Sequence, residues 1–117
     1  MMKEPYKVGA SVVVYHENKV FIGPEQFALI RQIIDDGSMN AAAHHLGFSF
    51  QKTWQMVSKM NALSDQPIII VKRGGNNGGG CFVSEYGKNI FELYARRELE
   101  VIKALAQSEN ELDSQLF

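Results

Sequence analysis

Gln51, Lys52, Gln55, Ser58 and Lys59 are five polar side chains packed into one nine-residue stretch of the chain. Glutamine matches the donor and acceptor pair of adenine, lysine donates to guanine or to phosphate, and serine does either, so this set suits base edges. At helical winding the five share one side of the segment FQKTWQMVSKMNAL, while Thr53, Trp54, Val57 and Met60 are expected on the other. No carboxylate interrupts the polar side. An ordinary amphipathic helix with a wet face has the same pattern, so the surroundings must decide.

Ser49 stands where an N-cap is needed for that helix, and Ser38 does the same for a shorter one containing Ala41, Ala42 and Ala43. Gly47 supplies the turn between them. Residues 38–63 therefore read as a helix-turn-helix, with Ser38 and Ser49 counted among its contacts to DNA. Downstream, Ile68 to Lys72 and Cys81 to Val83 are two extended runs around Arg73-Gly74-Gly75-Asn76-Asn77-Gly78-Gly79-Gly80. Strand, glycine-rich tip and strand make a wing over 68–83, with Arg73, Asn76 and Asn77 placed against backbone phosphate or the minor groove. Glycine-rich loops also cradle nucleotide phosphates, but those motifs need a terminal Lys with Ser or Thr, or a strand-to-helix turn. Neither context is present.

Other chemistry finds little support. Asp35-Asp36 is the sole acidic pair near a helix end, no nucleophile has a base at recognisable spacing, and no catalytic residue is assigned. His44 and His45 are adjacent, so on a helix they point about 100° apart and cannot clasp one metal as an i, i+4 pair does. No metal site and no cofactor are expected. Cys81 is the single cysteine, which rules out an internal disulfide and fits a reducing compartment; a small packed side chain is its expected role. The N-terminal apolar run from Val12 to Tyr15 is too short for a signal sequence or a membrane span, so no membrane partner and a cytoplasmic location are expected.

The remaining elements hold these pieces in place. Lys7 to Ile22, interrupted by His16-Glu17-Asn18, reads as an N-terminal β-hairpin over 7–22 that must pack on a helix or on a second copy. Pro24 opens a core helix with Phe27, Ile30, Ile33 and Ile34 at helical spacing, closed at Gly37. A long helix over 84–106 carries Ile90, Tyr94, Val101, Ile102 and Leu105 on an apolar stripe. Its second half extends past what so small a domain can cover, which predicts a dimer seam. Residues 107–117 are acidic and polar and are expected to fray.

With 117 residues and 45% hydrophobic content the chain has one domain's worth of core, residues 1–106 by this reading. The net charge of −1 hides an uneven distribution. Between Phe48 and Ser84 four basic residues face Asp65 alone, whereas after Ser84 four basic residues face seven acidic ones. A basic centre with an acidic tail lets a DNA-reading face sit on a nearly neutral chain.

Taken as a set, Asp36-Gly37-Ser38 with the alanines, Ser49-Phe50 through Trp54, Met60-Asn61, the wing glycines and Tyr86-Gly87 resemble the N-terminal DNA-binding domain of the molybdate-responsive regulator ModE. That domain is a winged helix-turn-helix related to the one in LysR-type regulators, and the resemblance runs from about Pro24 to Arg97. Together with the hairpin and the long helix read above, it implies a fold that is mainly α with a small β component: a winged helix-turn-helix with an N-terminal β-hairpin and a long C-terminal dimerisation helix. It also implies a homodimer on double-stranded DNA with a palindromic operator. ModE carries its molybdate-binding modules beyond this domain, so no molybdate site is expected on this chain. The competing expectation is a winged-helix adaptor that binds protein and never touches DNA.

Overall fold

The computed structural model describes residues 4–72 and 80–116. The chain forms strands β1 (Val14–His16) and β2 (Lys19–Ile22), helices α1 (Pro24–Asp36), α2 (Met39–Leu46) and α3 (Phe50–Leu63), strands β3 (Ile69–Val71) and β4 (Cys81–Val83), and helix α4 (Glu85–Leu116). It is mostly helical, with two small antiparallel sheets, β1-β2 and β3-β4, an arrangement compatible with a winged helix.

The β1-β2 hairpin is shorter than expected. Its strands start at Val14, not at Lys7, and the register shifts within the ladder, Tyr15 standing opposite Val20 and Val14 opposite Ile22. Glu17 and Asn18 both take positive φ, the mark of a two-residue type I′ turn, which sets His16 opposite Lys19. The preceding segment instead runs beside the last helix. The Val8 amide donates to Glu109 Oε1 at 3.0 Å, the Tyr6 amide donates to Asp113 Oδ1 at 3.3 Å, and the Tyr94 hydroxyl donates to the Val12 carbonyl at 2.7 Å.

Helix α1 begins at Pro24, where a missing N–H costs nothing, and the Gln26 side chain accepts from the Gly23 amide at 2.9 Å. Its buried face of Phe27, Leu29, Ile30 and Ile33 forms the centre of the core with Ile22, Met56, Val57, Met60, Ile68, Ile69, Val83 and Tyr94. Phe27 stacks on Phe91 at 4.6 Å between ring centroids and meets Tyr94 at 4.7 Å. Gly37 closes α1 in the left-handed region at φ 63°, which glycine alone adopts without strain.

Two expectations for α4 change. It runs to Leu116, so residues 107–116 continue the helix where fraying was expected; one cause is the anchoring of its last turns to the N-terminal segment through Glu109 and Asp113. Tyr94, expected on the dimer stripe, is only 2% exposed and belongs to the protomer's own core, and Ile90 is partly buried against that core. At 32 residues α4 is about 48 Å long by helical rise. Its length explains a radius of gyration of 18.0 Å, against about 13 Å for a compact chain of this size.

Candidate nucleic-acid interface

The turn between α1 and α2 and the turn between α2 and α3 are built as the capping residues foretell. The Ser38 hydroxyl accepts from the Ala41 amide at 3.2 Å, and the Ser49 hydroxyl accepts from the Lys52 amide at 3.0 Å. Gly47, at φ 70°, ends α2 in the left-handed region. Both serines are therefore occupied at helix N-termini; Ser49 is exposed, Ser38 half-buried.

Helix α3 buries Thr53, Met56, Val57 and Met60. This corrects the expected face in one respect: Met56 is inside and Trp54 is outside, at 38% exposure. The spacing i, i+3, i+4, i+7 of the four buried residues is the ordinary core stripe, and Trp54 does not fit it. Gln51, Lys52, Gln55, Ser58 and Lys59 are all exposed, as the sequence implies. Helix α3 contains no Asp or Glu.

Wound at ~100° per residue, the exposed arc of α3 has three zones. Gln51, Gln55 and Ser58 occupy its centre. Lys52 and Lys59 form one edge, beside Val20 and Phe21 of the hairpin and Gln26 of α1. Phe50 and Trp54 form the other, beside Ser38, Met39 and Asn40 at the start of α2 and Val71, Gly80 and Cys81 of the second sheet. The two rings meet edge to face at 6.0 Å, and Phe50 is 50% exposed.

Lys52 is not free in this state. Its Nζ lies 2.6 Å from Glu25 Oε2 and 4.3 Å from the centre of the Phe48 ring. Both partners of the ion pair are well exposed, so it contributes little stability and exchanges easily for another anion.

The β3-β4 sheet is fastened at both ends. Asn61, near the end of α3, accepts from the amides of Ile68 and Ile69 at 2.9 and 3.1 Å and donates to the Ile69 carbonyl at 2.8 Å. It fixes the start of β3 against the end of α3, a role that residue type and spacing do not reveal. At the other end the Cys81 amide donates to the Gly37 carbonyl at 3.2 Å, and a Cβ on Gly80 would stand 2.9 Å from that same oxygen. The glycine there is a condition of docking the sheet on the α1-α2 turn. Gly87 is similarly constrained: a Cβ would come within 2.6 Å of the Ile68 carbonyl oxygen. Ser84 secures the start of α4, donating to the Pro67 carbonyl at 2.6 Å and accepting from the Gly87 amide at 3.0 Å. Arg73, Asn76 and Asn77, expected at the wing tip, lie outside the described residues.

Beside the interface, Asp36 ties α1 to α2. Its Oδ2 takes the Gln32 amide nitrogen at 2.9 Å and faces His45 Nδ1 at 2.8 Å. These hydrogen bonds, that from Gln32 first and that from His45 second, hold the carboxyl below the ordinary carboxylate range. Because an ionised carboxylate only accepts, Nδ1 is the donor, and the 3.2 Å approach of Gln32 Nε2 to Nδ1 is then mere proximity. Cys81 is buried, and desolvation pushes its thiol pKa up, which keeps it protonated and packed. Among the described residues no group of three His, Cys, Asp or Glu side chains is placed to hold a metal. No helix among them is long and apolar enough to cross a membrane.

On the far side, the second half of α4 exposes Leu99 at 56% and Ile102 at 58%, and Val101 and Leu105 are half-buried. Ala10, Ser11 and Val12 of the N-terminal segment line one flank of this stripe.

No protein-family model matches the chain. It is 32% identical over 78 residues to the transcriptional regulator ModE of Yersinia pestis, covering 67% of this chain and 30% of that protein. It is 31% identical over 78 residues to the DNA-binding transcriptional dual regulator ModE of Escherichia coli K12, with the same coverage. The molybdenum-pterin-binding protein MopB of Rhodobacter capsulatus is 33% identical over 101 residues, covering 86% of this chain and 37% of that protein. The chain thus spans about a third of the length of these relatives, which include transcription regulators and no enzyme by name. Among solved structures, the full-length LysR-type regulator LysG of Corynebacterium glutamicum superposes with a TM-score of 0.57 at 22% identity, covering 76% of this chain and 29% of that one. ArgP of Mycobacterium tuberculosis gives 0.52 at 21%, with 72% and 30% covered. By sequence the chain carries a ModE-like DNA-binding domain, and in fold it is similar to LysG and ArgP.

Proposed function

We propose that the chain is a transcription regulator that binds double-stranded DNA in the cytoplasm as a homodimer and reads a palindromic operator. Helix α3 enters the major groove, and the segment between β3 and β4, with Arg73, Asn76 and Asn77, meets the backbone or minor groove. The observation that carries this reading is the exposed arc of α3: polar at its centre, cationic along one edge, with no carboxylate. Its position after a short helix and a tight glycine turn supports the same assignment. Dimerisation through α4 is supported by the outward Leu99 and Ile102 beside Val101 and Leu105, since side chains of this size in a row are costly to leave in water. In such a dimer the two α3 helices would stand about 34 to 36 Å apart, one turn of duplex.

Selection of binding sites from random-sequence duplex DNA tests the reading. Recovery of a two-fold symmetric motif is expected, bound by two chains. A motif without symmetry would remove the dimer, and no enrichment would remove DNA reading altogether. An adaptor that never touches DNA is the second reading. It is favoured by one observation, that Lys52 is already engaged by Glu25. An adaptor would show no salt-sensitive binding to any duplex even at low ionic strength.

A further inference from the structure

The exposed aromatic edge of α3 is unused by the reading above. Phe50 and Trp54 keep half and more than a third of their surface in water, although Met56, Val57 and Met60 on the same helix are fully packed. Two adjacent exposed rings are an expensive feature for a surface that binds only phosphate and polar base edges. Their place is specific: on α3's winding they lie next to Gln51 and Ser58 and opposite the Lys52-Lys59 edge.

Resting on the assignment of α3 as the groove helix, we infer that Phe50 and Trp54 read thymine, by packing against its C5-methyl group. That methyl is the one apolar feature of a base edge in the major groove. Occupancy by DNA is favoured over a protein partner by charge: the rings share their helix with two lysines and no acidic residue, so the rest of the face complements a polyanion. Geometry also couples the two kinds of contact. A glutamine from the centre of the arc pairs with adenine, and the thymine opposite or adjacent presents its methyl towards the aromatic edge. The chain would then prefer A·T pairs at the steps nearest the start of α3, with thymine recognised by its methyl and adenine by its hydrogen-bonding edge.

The test uses a duplex recovered by the selection above and the same duplex with deoxyuridine in place of each thymidine in turn, which deletes only the methyl. Affinity is read by fluorescence anisotropy for the parent chain and for Phe50→Ala, Phe50→Leu and Gln51→Ala, each first checked for an unchanged thermal melt. For the parent chain, uracil at one or two positions should weaken binding about fourfold per methyl, the ratio that burial of one such group supplies. Phe50→Ala should lose the discrimination at one of those positions, and Phe50→Ala combined with Trp54→Ala should bind the two duplexes alike at all of them. Phe50→Leu should keep most of the discrimination, and Gln51→Ala should bind more weakly while keeping it. A parent chain indifferent to every uracil overturns the inference and leaves DNA reading intact. So does Phe50→Ala with the parent's full discrimination, which would turn the aromatic edge over to another partner. A parent chain that binds no duplex overturns the Proposed function and this inference together.

Discussion

The two halves of α4 show the same kind of residue put to different uses. In the first half, Tyr94 and Phe91 close over Phe27 of α1, and the tyrosine hydroxyl finds the Val12 carbonyl. In the second half, Leu99 and Ile102 have no comparable cover among the described residues, and the N-terminal segment lines one flank. A continuous apolar stripe along one helix therefore meets two surroundings, one completed by the protomer and one that the proposed dimer would cover.

Truncation separates these uses most sharply at Tyr94. Tyr94→Ala empties an aromatic site in the core and should cost about 3–5 kcal/mol in denaturant unfolding. A loss below about 1 kcal/mol would mean that the first half of α4 is not part of the core. Ile102→Glu should act the other way, leaving the protomer folded and parting the dimer. Its affinity for a two-fold site should fall about 100-fold, because the second half-site is no longer delivered at high effective concentration. Melting temperature should rise with concentration for the parent and stay flat for the variant. Equal behaviour of the two would place the seam elsewhere.

The smallest expected effect lies away from α4. Asp36 has a lowered folded pKa, so its clamp contributes stability above the unfolded value near pH 4 and loses it as pH falls through the lower folded value. The gap in melting temperature between the parent and Asp36→Asn should be present at pH 7 and should close towards pH 3. A gap that widened in acid would reverse the sign of this account.

Much of this organisation is legible in the residues themselves. Ser38, Gly47 and Ser49 announce two helices and a turn because their roles are local: a hydroxyl that reaches an amide three residues on, and a glycine in the left-handed region. The outward set on α3 follows from winding alone. Trp54 departs from the expected face because size and apolarity do not ensure burial; the run Thr53, Met56, Val57, Met60 already gives a complete core stripe without it. The hairpin's true start and the burial of Tyr94 are not legible, since both depend on contacts distant in sequence: residues 6–12 lie along α4, and Tyr94 packs on Phe27 of α1. Asn61 and Gly80 were hidden for the same reason, their partners being strands and turns that only the folded chain brings near.

The most direct test of the central claim is the salt dependence of binding to a selected duplex, compared between the parent chain and Lys52→Ala. Binding by the parent should weaken steeply as salt rises, in a straight line on logarithmic axes. Lys52→Ala should be weaker and its slope shallower by about one counterion for each α3 engaged. Salt-independent binding by the parent, or an unaltered slope in the variant, would contradict the assignment of α3's cationic edge to DNA.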